Sequence, residues 1–307
     1  MQSSISRRTF FKSSAQTGLA LAGLGLIENF SSAVEPLTRA GKARFLLSIA
    51  AYSFREFLQT KNPAQKIDLF RFIDFCAEQG SQGAELTSYY FPQPPPDEYL
   101  IKLRRHAFLR GVEVSGTAVG NNFALPKGEK LTAQIGLVKR WINHAAVLGA
   151  PHIRVFAGKA DKGLTDLEAR KMCIASLEEC SDYAATKGIF LGLENHGGIV
   201  AQADGLLEIV RAVKSPWLGI NLDTGNFHTK DVYGDIEKCA PYAVNVQMKA
   251  LIRQQDEKAQ EPADLPRLFK ILRDANYQGY IALEYESKES PWTAIPPLFK
   301  RMKELAA

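Results

Sequence analysis

The segment Ile189-Phe-Leu-Gly-Leu-Glu-Asn195 is an apolar run that ends on polar side chains, and Gly205–Val213 after it has amphipathic helical spacing. Leu218-Gly-Ile-Asn-Leu-Asp-Thr224 then repeats the first pattern. Strand, helix and strand in that order form a unit whose two strands run parallel, because the helix carries the chain back to the starting edge. Working outward, the same alternation places strands at Phe45–Ser53, Gly83–Thr87, Val112–Ala118, His152–Ala157, Ala243–Lys249 and Tyr280–Tyr285. Helices are predicted between them, at Pro63–Glu78, Pro96–Leu109, Glu129–Leu148, Asp166–Lys187 and Leu265–Ala275. Gly80, Gly111, Gly149, Gly188 and Gly279 stand between a helix and the next strand, where a left-handed residue closes the helix. Eight units over roughly 260 residues, against roughly 250 for a typical case, predict an α/β fold built as a single (β/α)8 TIM barrel. No linker is long enough to divide it.

Composition agrees with one large core. Of 307 residues 46% are hydrophobic and 10% aromatic, with four Cys, which excludes a disordered chain, a collagen-like repeat and a disulfide scaffold. Cys173 and Cys180 would lie roughly 10 Å apart along one helix, beyond disulfide reach. The formal net charge of +5 hints at a polyanionic partner. Part of it, however, belongs to Ser6-Arg7-Arg8-Thr9-Phe10-Phe11-Lys12, followed by the apolar run Ala15–Ile27 and by Ser31-Ser32-Ala33. A charged start, an apolar stretch too short to span a bilayer and small residues at a cleavage site describe an export signal. The S-R-R-x-F-x-K pattern resembles the twin-arginine signal, which implies export of a folded, already loaded protein to the periplasm. The expected division is therefore a signal over residues 1–33 and a barrel over 34–307. Cleavage after Ala33 removes a net +2 and leaves +3. With no basic stripe and no Gly-rich phosphate loop, nucleic acid and membrane are not expected as partners, and a non-phosphorylated sugar is preferred as substrate; a homo-oligomer stays open.

In a barrel of this kind chemistry gathers at the C-terminal strand ends. Four consecutive strands end in an oxygen-bearing side chain: Glu194, Asp223, Gln247 and Glu284. Three carboxylates converging at one mouth repel one another unless a cation neutralises them, so a single divalent metal ion is expected there. Lys249 and His196 each lie two residues beyond one of these positions and so share the inward face. Lys249 either stabilises a developing oxyanion or reaches outward past the strand end. Glu85 and Arg154 either contact substrate or neutralise each other. Tyr52, Phe54, Tyr89, Tyr90 and Phe123 could wall a sugar pocket. His106, His144 and His152 read as structural, and His228 as a solvated loop residue.

The segments Leu-Glu194-Asn-His196, Asp223-Thr-Gly-Asn226, Gln247-x-Lys249 and Glu284 resemble the sugar phosphate isomerase/epimerase family of xylose isomerase-like barrels. The resemblance covers nearly the whole chain after the signal. It implies metal ligation by Glu194, Asp223 and Glu284, with Gln247 where the family usually has His. That change favours oxygen-loving Mn²⁺ or Mg²⁺, with Zn²⁺ or Co²⁺ as further options. Ala250 stands where the family often has Asp. The implied activity is a metal-dependent sugar isomerase or epimerase working through an enediolate, with Glu194 and Glu284 as acid and base, aided by Lys249 and His196. The alternatives are a metal-dependent lyase or dehydratase that cleaves keto-sugars or keto-glycosides by β-elimination, and, in another class, a non-catalytic carbohydrate-binding barrel. An endonuclease ranks last, because five His are too few for a histidine-rich multi-metal site.

Overall fold

Eight parallel strands close on themselves in a computed structural model that describes residues 34–255, 257 and 259–307. The export signal expected over residues 1–33 lies outside the described residues. The strands are β1 (Arg44–Ala50), β2 (Gly83–Thr87), β3 (Glu113–Ala118), β4 (His152–Val155), β5 (Phe190–Glu194), β6 (Leu218–Asp223), β7 (Ala243–Met248) and β8 (Gln278–Leu283). Each pairs with the next, and β8 pairs back to β1 with Arg44 opposite Gln278, so no sheet edge is left open. A helix follows every strand: α1 (Leu69–Glu78), α2 (Asp97–Leu109), α3 (Glu129–Leu148), α4 (Asp166–Ala185), α5 (Ala203–Ala212), α6 (Val232–Cys239), α7 (Leu265–Asp274) and α8 (Pro291–Ala306). The predicted α/β barrel is the observed one. No described helix is long and apolar enough to cross a membrane.

Several element ends differ from expectation by a few residues, and three departures have a clear local reason. The first strand stops at Ala50, and Ala51–Phe54 turns as a short 3₁₀ helix that buries Phe54 against Phe72, Phe75 and Trp292. The helix expected from Pro63 starts at Leu69, because the Asp68 side chain accepts the Arg71 backbone N–H at 2.9 Å and caps it there. Gly80, Gly111, Gly149 and Gly188 take the expected left-handed conformation, but Gly279 does not. It lies inside β8, and Asn276 supplies the left-handed residue at φ 51°.

The first βα turn also fixes the far side of the mouth. Ser53 Oγ accepts the Tyr285 N–H at 2.9 Å and donates to the Leu283 carbonyl at 3.3 Å, which ties the end of β1 to the end of β8 beside Glu284. All four cysteines are free and buried, as expected of small core residues.

Candidate functional site

Polar side chains fill the barrel interior in two tiers. In the lower tier Glu85, Asn221, Asn245 and Gln247 are all buried and form a closed ring of hydrogen bonds. Asn245 Nδ2 donates to Glu85 Oε2 at 2.9 Å and to Asn221 Oδ1 at 2.8 Å; Asn221 Nδ2 donates to Gln247 Oε1 at 2.7 Å; Gln247 Nε2 donates to Glu85 Oε1 at 2.6 Å. When ionised, Glu85 only accepts, which favours the Gln247 amide with its nitrogen toward Glu85 and its carbonyl toward Asn221. Burial and the negative charge of Glu284 push the Glu85 carboxyl up to about 7, against the opposing effects of Gln247, Arg154 and Asn245. Beside it His152 is buried with its Nε2 3.9 Å from Glu85, and desolvation lowers its pKa to about 4, so the ring is neutral. Gly116 on β3 makes room for it: a Cβ there would sit 2.0 Å from the imidazole.

The upper tier carries the charges. Glu194, at the end of β5, is paired with Arg154 Nε at 2.9 Å through Oε2, while its Oε1 meets His196 Nδ1 at 2.9 Å and accepts from Asn226 Nδ2 at 2.8 Å. Burial raises its pKa, but Arg154, the His196 hydrogen bond and Lys249 outweigh that and leave it below the ordinary carboxylate range. Arg154 also donates to the Val119 carbonyl and lies over the Phe156 ring. The expected Glu85–Arg154 pair is therefore split. Arg154 serves Glu194, and Glu85 serves the amide ring.

Across the mouth, Lys249 reaches inward rather than outward. Its Nζ lies 2.8 Å from Glu284 Oε1 and 3.3 Å from Asp223 Oδ2, and it bonds the Glu286 carboxylate. Desolvation would lower its pKa, but the three carboxylates carry it well above the ordinary lysine value. Glu284 is displaced upward, by burial first and then by Glu194 and Glu286, with Lys249 opposing. Asp223 is held from both sides, its N–H donating to Asn195 Oδ1 at 2.9 Å and its Oδ1 accepting the Gly225 N–H at 2.8 Å. Its buried Oδ2 has no hydrogen-bond partner, and burial with the charges of Glu194 and Glu284 moves its pKa up to about 8.

The residues expected to act together are thus brought to one end of the barrel, but the four expected metal donors do not present free oxygens to a common point. Glu194 is ion-paired to Arg154 and bonded to His196, the Gln247 carbonyl accepts from Asn221, and the Lys249 ammonium stands 3.3 Å from the otherwise unpartnered Asp223 Oδ2 and 2.8 Å from Glu284. Among the described residues no three His, Cys, Asp or Glu side chains are grouped so as to hold a metal ion. As arranged, the donor set does not fit a divalent cation.

Glu286, Asn221 and Asn245 were not singled out by sequence, and Asn226 entered only as the end of a motif, without a role. The signal was present, since Asn221 and Asn245 each sit two residues before a chosen side chain, and Glu286 two after one, on the same inward face. Of the expected aromatic wall, Phe54 and Phe123 are core. Tyr52 and Tyr90 are at the mouth, close enough for Glu284 to raise both phenol pKa values further after burial has done so. His228 contacts the Arg253 carbonyl, and His106 pairs with Asp74 on the outside. A polar cavity of about 160 Å³ opens beside Lys249, Glu286, Asn226 and Arg253. A groove of about 320 Å³ between α2 and α3, at Val112 and Glu113, lies at the opposite end, away from this chemistry.

The model of the family described as xylose isomerase-like TIM barrel matches residues 73–305. A human protein provisionally named as a hydroxypyruvate isomerase is 23% identical over 248 residues, covering 68% of this chain and 82% of its own. Among solved structures, a D-psicose 3-epimerase with D-tagatose from Clostridium cellulolyticum H10 superposes with a TM-score of 0.69 at 14% identity, over 85% of this chain and 99% of the other. A 3-keto-D-glucoside 4-epimerase from E. coli gives 0.63 at 16%, over 86% and 100%. An IolI protein with a binding zinc atom gives 0.66 at 16%, over 85% and 96%. At these identities the structures establish the likeness of fold.

Proposed function

Since the chain belongs to the xylose isomerase-like TIM barrel family, we propose that it is a sugar isomerase or epimerase acting through an enediolate on a non-phosphorylated sugar or sugar derivative. The observation that carries this reading is the opposed setting of two buried carboxyls at one barrel mouth, Glu194 held below its ordinary pKa and Glu284 above it. Paired groups driven apart in this way divide into a base and an acid. Glu194, ionised, takes a proton from the carbon beside the carbonyl. Lys249 stabilises the oxygen on which charge builds, and Glu284, whose pKa is displaced upward toward the protonated form, returns a proton from its own side. His196, more than half exposed at 57%, is placed to hydrogen-bond a sugar hydroxyl while steadying Glu194. The likeness to a D-psicose 3-epimerase seen with D-tagatose and to a 3-keto-D-glucoside 4-epimerase supports ketoses as the first class to try.

The test is incubation of ketoses, aldoses and 3-keto-glycosides in deuterated water with product analysis by NMR and mass. An isomer of equal composition, labelled at the carbon next to the carbonyl, is expected. No exchange with any of them overturns the reading, and release of a fragment redirects it to β-elimination. Export by the twin-arginine route is part of the same proposal: Arg7→Lys with Arg8→Lys should strand the protein in the cytoplasm, as fractionation would show.

A further inference from the structure

We infer that the Lys249 ammonium is the resident cation of this site and that the site operates without a divalent metal ion. The inference deepens the isomerase reading for its mechanism, but its evidence is the arrangement of the residues, whatever the substrate.

Three independent features lead to it. The first is the amide ring. Gln247 holds its carbonyl on Asn221 Nδ2 at 2.7 Å and its Nε2 on Glu85 Oε1 at 2.6 Å, so a metal could take that carbonyl only by breaking a buried hydrogen bond. The position that could offer a fourth donor is instead part of the wall beneath. The second is Glu194, whose Oε1 already meets a histidine and an asparagine amide and whose Oε2 lies in ion-pair distance of the Arg154 guanidinium. A metal there would have to displace Arg154 into the buried interior without its partner. The third is the fit of the lysine itself. Gly225 lies against its stem, and a Cβ at that position would stand 2.6 Å from Lys249 Cγ and 2.9 Å from Cβ. The Lys249 N–H donates to Thr224 Oγ1 at 2.9 Å, fixing the strand end from which the side chain leaves. Its ammonium then meets Asp223, Glu284 and Glu286, three carboxylates that no other described cation contacts within ion-pair distance. A cleared channel for the stem and a cage of carboxyl oxygens for the head describe a built ammonium site, with one covalently attached charge set among the three acidic groups.

The consequence for chemistry is that charge developing on a sugar oxygen is met by an N–H donor that cannot dissociate. Such a site needs no loading step, and chelators do not inactivate it.

The test uses the full chain and reads metal binding, so that it stands whether or not a substrate has been found. Wild-type protein purified without added metal should carry well under one Mn, Zn, Co or Mg per chain by elemental analysis. Calorimetric titration with Mn²⁺ should show no binding in the micromolar range. Lys249→Met empties the cage, and Mn²⁺ should then bind at least about tenfold more tightly than to wild type, since three carboxylates are left without a cation. One tightly held ion per wild-type chain overturns the inference, and so does equal Mn²⁺ affinity in wild type and a folded variant. If Lys249→Met does not fold, the wild-type stoichiometry decides alone. Solvent exchange that survives chelator supports the inference, exchange abolished by it overturns it, and absence of exchange with every sugar counts against the isomerase reading only.

Discussion

The β4–β5 side of the barrel mouth and its β7–β8 side hold the same kind of group in opposite states. On the first, one carboxylate, Glu194, is shared among Arg154, His196 and Asn226. On the second, one cation, Lys249, is shared among Asp223, Glu284 and Glu286. Glu194, Asp223 and Glu284 are all buried, so desolvation alone would raise all three carboxyls. What separates them is the local ratio of positive to negative charge, and in the proposed reaction that ratio would set Glu194 as base and Glu284 as acid. The difference teaches that such roles follow from neighbours on adjacent strands, and each neighbour is a handle by which the asymmetry can be broken.

The largest effect is expected where the asymmetry is removed outright. Glu194→Gln should cut kcat for sugar isomerisation by about 10²–10⁴-fold, the usual worth of a positioned base. Glu284→Gln should cost a similar factor but remove the alkaline limb of the pH–rate profile. The sign follows from the shifts: Glu194 must be ionised, so activity falls on the acid side, and Glu284 must be protonated, so it falls on the alkaline side. If both variants keep both limbs, the assignment of base and acid is wrong. Next comes Lys249→Gln, which should lower kcat by about 10²–10³-fold through loss of an oxyanion donor, while KM changes little. A loss confined to KM would place Lys249 in binding rather than in the step itself.

Much of this was legible in the chain, and the division between legible and illegible is physical. The period of apolar runs and the glycines at helix ends gave eight strands in order, because each reports a local backbone requirement: Gly80 and Gly111 are left-handed for the reason their positions suggest. Gly279 misled because a left-handed turn needs only one permissive residue, and Asn276 met the need three positions earlier. The four strand-end residues were visible through alternation. Their partners were not, since whether Arg154 turns to Glu85 or to Glu194 depends on strands in contact across the barrel, which sequence spacing does not encode. Nor does spacing encode that a glutamine amide is turned by a glutamate 162 positions away. A convergent set of carboxylates implied a cation, and that much was sound physical reasoning. It did not show that a lysine two residues further on would stand among the same acidic groups.

Beneath the β4–β5 side, His152 offers a stability test with a definite sign. Its pKa falls from 6.5 to about 4 on burial, so it contributes stability that is present above pH 6.5 and is lost as pH falls toward 4. Between pH 6.5 and 5 this single group should cost about 2 kcal/mol of unfolding free energy, roughly 1.4 kcal/mol for each pH unit. Urea unfolding at the two pH values checks it. His152→Gln should lower stability at pH 7 yet flatten the acid-side slope by about one proton; an unchanged slope would mean that other groups drive the acid loss.

The smallest effect sharpens the comparison most finely. His196 lies beside Glu194, and its Nδ1 contact at 2.9 Å both lowers the Glu194 pKa and, through that hydrogen bond first, raises its own. Because the ring is more than half exposed, solvent screens its charge, and removing it should leave Arg154 to hold Glu194 nearly unaided. His196→Ala should therefore move the acid limb of kcat/KM upward by under about one pH unit and raise KM several-fold through a lost contact to a sugar hydroxyl, with kcat at pH 8 changed by less than about threefold. A large fall in kcat at pH 8 would instead make His196 an acid or base in its own right. The β4–β5 side would then carry two groups that exchange protons with the sugar, and the simple opposition of one base to one acid would have to be replaced by a relay through the imidazole.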